Sequence, residues 1–197
     1  CYDIGFALDK APSVTTVILA EGSPYSMDGT LPLIKNAAGN NIIYLYGQLE
    51  EGEGKPLQNG EFVVSPIVNT ISAYAFRNQY SLKKIYLPDI LTDIKDYAFL
   101  NCYNLEELVF YQTDIDKDTG KIVALYDENN NLKVAESPAL KTIGKYAFAV
   151  CEKLNLFKLP ASVTSVGEYA FFYCRSFKEI TIPARKINFG KFAYAYC

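Results

Sequence analysis

The sequence repeats itself at an interval of 23 residues. The tripeptide Tyr-Ala-Phe recurs around Ala75, Ala98, Ala147 and Ala170, and the related Phe-Ala-Tyr lies around Ala193. The successive intervals are 23, 49, 23 and 23 residues, so the long interval is one period plus 26 residues. A repeat this short cannot bury its own apolar face, whereas stacked repeats share one continuous core. The recurrence therefore predicts a solenoid in which the primary role of the repeated residues is to pack in the shared core.

Each copy carries two local patterns. Short stretches alternate apolar and polar residues at 83–88, 106–110, 155–160 and 178–183. Alternation with a period of two predicts half-buried strands. The Tyr-Ala-Phe segment is too short for an independent helix, so we expect one helical turn opposite each strand. The expected fold class is α/β, a solenoid with one short parallel strand and one helical turn in each coil.

Two copies follow a known consensus closely. Residues 143–163 read IGKYAFAVCEKLNLFKLPASV, and residues 166–186 read VGEYAFFYCRSFKEITIPARK. Both resemble the repeat of the BspA-like leucine-rich-repeat family of bacterial and protozoan surface proteins, which runs roughly I-G-x-x-A-F-x-x-C-x-x-L-x-x-I-x-I-P-x-S-V. The resemblance implies a right-handed leucine-rich-repeat solenoid of 23-residue coils. It also implies a location at the bacterial cell surface or in the medium, and adhesion or recognition without a catalytic residue set.

The repeat array is expected to occupy residues 66–197, with a β-containing N-terminal cap region over 1–65. Within the cap we predict a degenerate coil with a strand at Phe62 and Val64, a strand in 40–49, and a helical turn in 28–36. The last copy stops at Cys197 before its strand, so we expect the natural chain to continue or to carry a cap. Cys1 is either the lipid-bearing first residue of a processed bacterial lipoprotein or only the point where this stretch of chain starts.

The 26 extra residues, 111–136, interrupt the array. Two β-like runs flank the sequence DENNN, which favours a hairpin that leaves the solenoid over the alternative of a degenerate coil. Asp114, Asp116 and Asp118 alternate as in a calcium loop, but Gly120 comes one residue late and Leu125 stands where a bidentate glutamate belongs. A solvated turn is therefore the preferred interpretation.

The cysteines share one column of the repeat, except for Cys1. That column holds Gln79, Cys102, Cys151, Cys174 and Cys197. An interval of 23 residues fits no zinc motif, and side chains in a ladder point the same way, which disfavours disulfides between adjacent coils. We therefore expect free, buried structural thiols, and no metal.

Two rows of side chains are candidate binding surfaces. The first is the strand face that points away from the core, where curvature commonly creates a concave binding surface. It comprises Lys84, Tyr86, Glu107, Val109, Leu156, Lys158, Glu179 and Thr181. The second is an aromatic column, whose tyrosines would suit a sugar or a protein if they are exposed, and are packing residues if they are not. It comprises Tyr74, Tyr97, Tyr146 and Tyr169, with Phe192 in the last copy.

Composition excludes several classes of function. A net charge of −3 without a basic block argues against nucleic acid as a partner. The absence of histidine removes the commonest acid–base catalyst and metal ligand. Glu107 and Glu179 are expected to lie more than about 9 Å apart, too far to act as a catalytic pair. We therefore predict a non-enzymatic protein with no cofactor, which binds a host or neighbouring-cell protein, or alternatively a glycan, and meets a membrane only through a possible lipid on Cys1.

Overall fold

The computed structural model describes residues 57–155 and 157–197, together with the backbone of three earlier strands. The expectations about Cys1 and Leu156 lie outside the described residues. The strands are β1 Tyr25–Asp28, β2 Leu31–Lys35, β3 Asn41–Ile43, β4 Glu61–Val63, β5 Thr70–Ile71, β6 Lys84–Pro88, β7 Asp93–Ile94, β8 Glu107–Tyr111, β9 Thr113–Ile115, β10 Ile122–Ala124, β11 Thr142–Ile143, β12 Ser165–Val166 and β13 Asn188–Phe189.

An eight-stranded sheet in the order β1-β2-β3-β5-β7-β11-β12-β13 runs along one side of the solenoid. From β3 to β13 neighbouring strands are parallel, and each coil from β5 onward contributes only two residues. Ile71, Ile94 and Ile143 occupy equivalent positions in this ladder and are buried. These two-residue strands coincide with the apolar column that precedes each Tyr-Ala-Phe, where the sequence predicts no strand.

A second parallel sheet, β4-β6-β8, forms the strand face. Phe62, Ile85 and Leu108 pair in register across it, which confirms the strands predicted in the first three copies. The strands predicted at 155–160 and 178–183 are wrong, because the described residues there join no ladder. Part of the β8 edge beside the first of these stretches is occupied by the inserted segment, whose Ala135 amide donates to the Phe110 carbonyl at 2.8 Å. The second stretch then has no strand beside it to extend.

The helical turns are also wrong, because the described residues contain no helix. The amides of Phe76 and Asn78 donate to the carbonyls of Ala98 and Leu100 in the next coil, at 2.7 and 2.8 Å, instead of to their own turn. Backbone in the left-handed region marks both ends of each turn. These residues, with φ between 52° and 63°, are Tyr74, Asn78, Tyr97, Asn101, Tyr146, Val150, Tyr169, Tyr173, Phe192 and Tyr196. Left-handed residues cannot continue an α-helix, so the turns serve as a third ladder between coils.

Strands, not a helical turn, occupy the part of the N-terminal region that is described. The helical turn predicted over 28–36 is wrong, because β2 lies between β1 and β3 and is antiparallel to both. The strand predicted within 40–49 is present as β3. Its parallel pairing with β5 makes this region continuous with the eight-stranded sheet.

The inserted segment 111–136 contains antiparallel pairs. Strands β9 and β10 pair with Ile115 opposite Ile122, and further bridges join Tyr111 to Val134 and Tyr126 to Leu132. The segment therefore folds back twice beside β8.

Stacked phenylalanines fill the core. Phe76, Phe99, Phe148 and Phe171 are fully buried, and their successive ring centroids lie 5.0, 4.9 and 5.3 Å apart. The coils approach so closely that a Cβ on Gly167 would lie 2.5 Å from the Lys145 amide nitrogen of the preceding coil. A side chain at Gly167 would therefore clash with the preceding coil, whereas Ser72 and Lys95 occupy the equivalent positions of the first two coils.

Truncation of the phenylalanine stack should be costly. We expect Phe148→Ala to lower the free energy of unfolding by about 3–5 kcal/mol, because it leaves a cavity between two buried rings. Ile182, which the repeat pattern places in the core, is 57% exposed, so Ile182→Ala should change stability by less than about 0.5 kcal/mol. Urea denaturation followed by circular dichroism measures both. Equal losses for the two variants would contradict this description of the core.

Candidate binding groove

The strand face carries a polar network on β4, β6 and β8. The Lys84 ammonium lies 2.9 Å from the Glu107 carboxylate, and the Tyr86 hydroxyl donates to Glu61 Oε2 at 3.0 Å. Lys84 Nζ also lies 4.9 Å from the centroid of the Tyr86 ring. These side chains are brought together because residues 84 and 86 of β6 pair with 107 and 109 of β8 and point away from the core.

Partial burial and hydrogen bonding shift the titration of two of these groups. Burial raises the pKa of Tyr86, and its hydrogen bond to Glu61 acts in the same direction, against the effect of Lys84. Burial alone would lower the pKa of Lys84, but its hydrogen bonds to Glu107 and Tyr86 outweigh that and raise it. At neutral pH the row therefore holds a neutral phenol and a charged ammonium.

The strand face and the inserted segment border an open groove of about 1120 Å³. We call this the strand-face groove. Its floor is the outer face of β6 and β8. One wall comes from the inserted segment and includes Tyr126, Val134 and Glu136, and the other comes from residues 157–161 and includes Phe157 and Lys158.

The structure brings most of the predicted strand-face residues into this single groove. Those that line it are Lys84, Tyr86, Glu107, Val109, Lys158, Glu179 and Thr181. Leu156 lies outside the described residues. The sequence reasoning missed the contribution of the inserted segment, whose Tyr126 and Val134 are 51% and 64% exposed. The alternation of apolar and charged residues in LKVAE was the available signal for a strand with one exposed face.

The aromatic column lies outside the groove and is packed against itself. Tyr74, Tyr97, Tyr146 and Tyr169 are half-buried, and their successive ring centroids lie 5.0, 5.3 and 4.8 Å apart with interplanar angles of at most 9°. Phe192 covers the far face of Tyr169 at 5.3 Å. A sugar binds an aromatic ring through its face, and here the ring faces cover one another. The geometry therefore favours the packing role.

The cysteine column forms a ladder of thiols. Cys102, Cys151 and Cys174 are buried and free, and each Sγ donates to the carbonyl of a core phenylalanine in the preceding coil, at 2.9, 3.2 and 3.2 Å. The expectation of free, buried thiols is confirmed for these three residues. Cys197 is also free and donates to the Phe171 carbonyl, but unlike the other three it is exposed. Burial raises the pKa of Cys151 and Cys174 well above its usual range.

The aspartates of the inserted segment organise its turns. The Asp116 carboxylate accepts hydrogen bonds from the Thr119 amide and hydroxyl, both at 2.7 Å, and from the Asp118 amide at 3.2 Å. Those hydrogen bonds lower the pKa of Asp116. Asp114 Oδ1 accepts from the Ile115 amide, and within the described residues no group of three or more potential ligands converges on a metal position. The carboxylates therefore act as turn formers.

Comparison with protein families identifies the repeats. Six copies of the BspA type leucine rich repeat region match residues 59–121 and 124–197. The chain belongs to the BspA-type leucine-rich-repeat family. The match begins seven residues before the array predicted at 66–197 and includes most of the inserted segment. No curated protein matches the chain in sequence.

Solved structures show the same fold. A leucine rich cell surface protein from Faecalibacterium prausnitzii superposes with a TM-score of 0.62 at 19% identity, covering 94% of this chain and 43% of that one. A leucine-rich repeat protein from Eubacterium ventriosum superposes with a TM-score of 0.50 at 16% identity, covering 96% of this chain and 54% of that one. The chain thus spans about half the length of these proteins. The described residues include no helix of the length and apolarity that a membrane crossing requires.

Thiol accessibility tests the ladder. At about pH 8 in the native state, we expect iodoacetamide to modify Cys197 faster than Cys102, Cys151 or Cys174, because alkylation needs an accessible thiolate. The raised pKa of Cys151 and Cys174 reduces the thiolate fraction at any given pH, which adds to burial in keeping both residues slow to react. Mass spectrometry of digested samples measures each site. Equal rates at Cys151 and Cys197 in native protein, matching those in denaturant, would contradict the buried ladder.

Proposed function

We propose that this chain is a non-catalytic recognition or adhesion module of a bacterial cell-surface protein, and that the strand-face groove binds a protein of a host or neighbouring cell. The observation that carries the proposal is the groove itself, in which an insertion walls off the outer face of a parallel sheet. A solenoid without such an insertion presents this face as an open surface. Here three parts of the chain border an open groove of about 1120 Å³.

The lining of the groove suits a protein surface. Exposed apolar side chains, among them Val63, Tyr126 and Val134, lie among carboxylates and ammonium groups. Protein interfaces combine apolar contacts with polar groups in this way, and aromatic residues such as tyrosine are enriched in them. Tyr86 is held by Glu61 and Lys84, so it presents a ring of fixed orientation at little entropic cost on binding.

The carboxylates of the groove are engaged in ways that suit binding better than catalysis. Glu107 is paired with Lys84, and Glu179 accepts a hydrogen bond from the Thr181 hydroxyl at 3.3 Å. The first is a partly exposed ion pair and the second a long hydrogen bond at the surface, and neither is part of a converging set of titratable groups of the kind that catalytic sites contain. The location at a cell surface is supported by the family and by the description of the Faecalibacterium prausnitzii protein, and attachment through a lipid on Cys1 is one route to it.

A binding screen with the purified chain tests this function. We expect a reproducible hit on an array of extracellular-matrix and surface proteins, weakened at least about tenfold by Lys158→Glu, which inverts an exposed charge in the groove. The matched control is Lys153→Glu, which makes the same change at an exposed residue outside the groove lining and should leave binding unchanged. A hit that both variants leave intact would exclude the groove. A hit on a parallel glycan array that Tyr146→Phe and Tyr169→Phe weaken would favour sugar binding instead.

Substitution of Tyr86 distinguishes a role in binding from a role in stability. We expect Tyr86→Ala to weaken the same protein hit at least about tenfold, because an aromatic side chain at the centre of an interface contributes most to affinity. Its half-buried ring and single hydrogen bond to Glu61 predict a stability loss of no more than about 1 kcal/mol. Thermal melting of the variant measures the second quantity. A large melting shift would make Tyr86 a packing residue.

A further inference from the structure

The outer face of β4, β6 and β8 carries two rows of side chains that run across the strands in register. The first, which we call the charged row, comprises Glu61, Lys84 and Glu107. The second, which we call the apolar row, lies two residues further along each strand and comprises Val63, Tyr86 and Val109. The residues between the rows are buried, so both rows point away from the core.

The spacing of the apolar row matches the turn spacing of an α-helix. Neighbouring strands lie about 4.8 Å apart, and successive turns of a helix rise about 5.4 Å. An extended segment that crosses the strands advances about 6.6 Å between side chains of the same face. Over the two intervals from β4 to β8, the mismatch is about 1 Å for the helix and about 4 Å for the extended segment. The row therefore favours a helix that lies across the strands.

The apolar row is accessible and is extended by one wall of the groove. Val63 is 48% exposed, and the Tyr86 ring is held in place by its hydrogen bond to Glu61. The exposed side chains of Tyr126 and Val134 continue the apolar surface onto the wall formed by the inserted segment. The groove thus offers an apolar floor and an apolar wall, which suit the apolar stripe of an amphipathic helix.

Charged side chains border the apolar surface. Glu61 lies beside the apolar row on β4, Glu136 lies on the wall formed by the inserted segment, and Lys158 lies on the facing wall. In the part of the chain that the structure describes, these three side chains form no ion pair. A complementary partner would direct basic side chains toward the two carboxylates and an acidic side chain toward the ammonium group.

We infer that an amphipathic helix of the partner protein lies across β4, β6 and β8, with its apolar stripe on the apolar row. Its basic side chains contact Glu61 and Glu136, and an acidic side chain contacts Lys158. This inference rests on the proposed function, since it assigns the binding mode of the same groove. The row spans about 10 Å from β4 to β8, so two to three turns of helix cover it.

The probe is a displayed library of random peptides of about sixteen residues, enough for four helical turns, selected on the immobilised full chain. We expect apolar residues to recur every three or four positions in the selected sequences, with Lys or Arg on one flank of that stripe and Asp or Glu on the other. Because free peptides of this length are only partly helical in water, synthetic copies should gain helical circular dichroism on binding. They should also compete with the protein hit of the binding screen.

Matched variants locate the helix. We expect Val63→Ser to weaken peptide binding at least about fivefold, whereas Ile115→Ser, the same kind of change at an exposed residue outside the groove lining, should not. Glu136→Lys should weaken binding at least about fivefold, whereas Glu128→Lys, in the same segment but outside the lining, should not. All four side chains are exposed, so the variants should keep the melting temperature of the parent chain. Fluorescence anisotropy of labelled peptide measures the affinities.

Several results would overturn the inference. Selected sequences that alternate with a period of two, or peptides that bind without gaining helical signal, would replace the helix with an extended segment. Equal affinities of Val63→Ser and Ile115→Ser would place the peptide off the apolar row. In either case, a protein hit that is sensitive to Lys158→Glu would leave recognition by the groove intact. No selected peptide, together with such a hit, would have the same meaning, and failure of both screens would overturn the recognition function as well.

Discussion

The hydrogen bonding of each coil's backbone to the next coil is the constraint on which the rest of the structure depends. Strands pair with strands of neighbouring coils, and alternate amides of the turns also donate to the next coil, as Phe76 does toward Ala98 at 2.7 Å. The amides between them, such as those of Ala75 and Arg77, donate within their own turn. The pairing between coils sets a coil spacing near 5 Å, so phenylalanines stack with phenylalanines and tyrosines with tyrosines. Gly167 is required for the same reason, since a Cβ there would meet the backbone of the coil before it. The glycine at 167, the stacking of the aromatic rings and the thiol–carbonyl contacts all follow from this one distance between adjacent coils.

That spacing also accounts for the unusual backbone of the turns. Tyrosine, asparagine and even Val150 adopt positive φ, which costs free energy for residues other than glycine. The turn geometry recovers that cost through hydrogen bonds to the neighbouring coil and through burial of the phenylalanine that follows each anchor alanine. A helical turn would direct its amides along its own axis and leave the adjacent coil unpaired. Repetition thus stabilises a local conformation that no single coil would retain.

The groove arises where this regularity is interrupted on one side only. The insertion after β8 occupies part of the strand-face edge through the Ala135–Phe110 hydrogen bond, while the opposite ladder joins Asp93 to Thr142 without a break. The core is therefore continuous, and the interruption appears at the surface as a walled opening beside β8. A groove is thereby added without loss of the shared hydrophobic stack.

The sequence alone determined the period, the stacked core columns, the family and the residues of the strand face. Each of these follows from similar residue types that recur at a fixed interval. It also determined the free thiols, since identical side chains at identical positions point in one direction. Only the tertiary structure decided that the turns are not helical and that 157–160 joins no strand, because both depend on what the adjacent coil offers as a hydrogen-bond partner. The sequence did not predict the groove either. Tyr126 and Val134 reach the strand face only through the path that the insertion takes, and periodicity carries no information about a segment that lies outside the period.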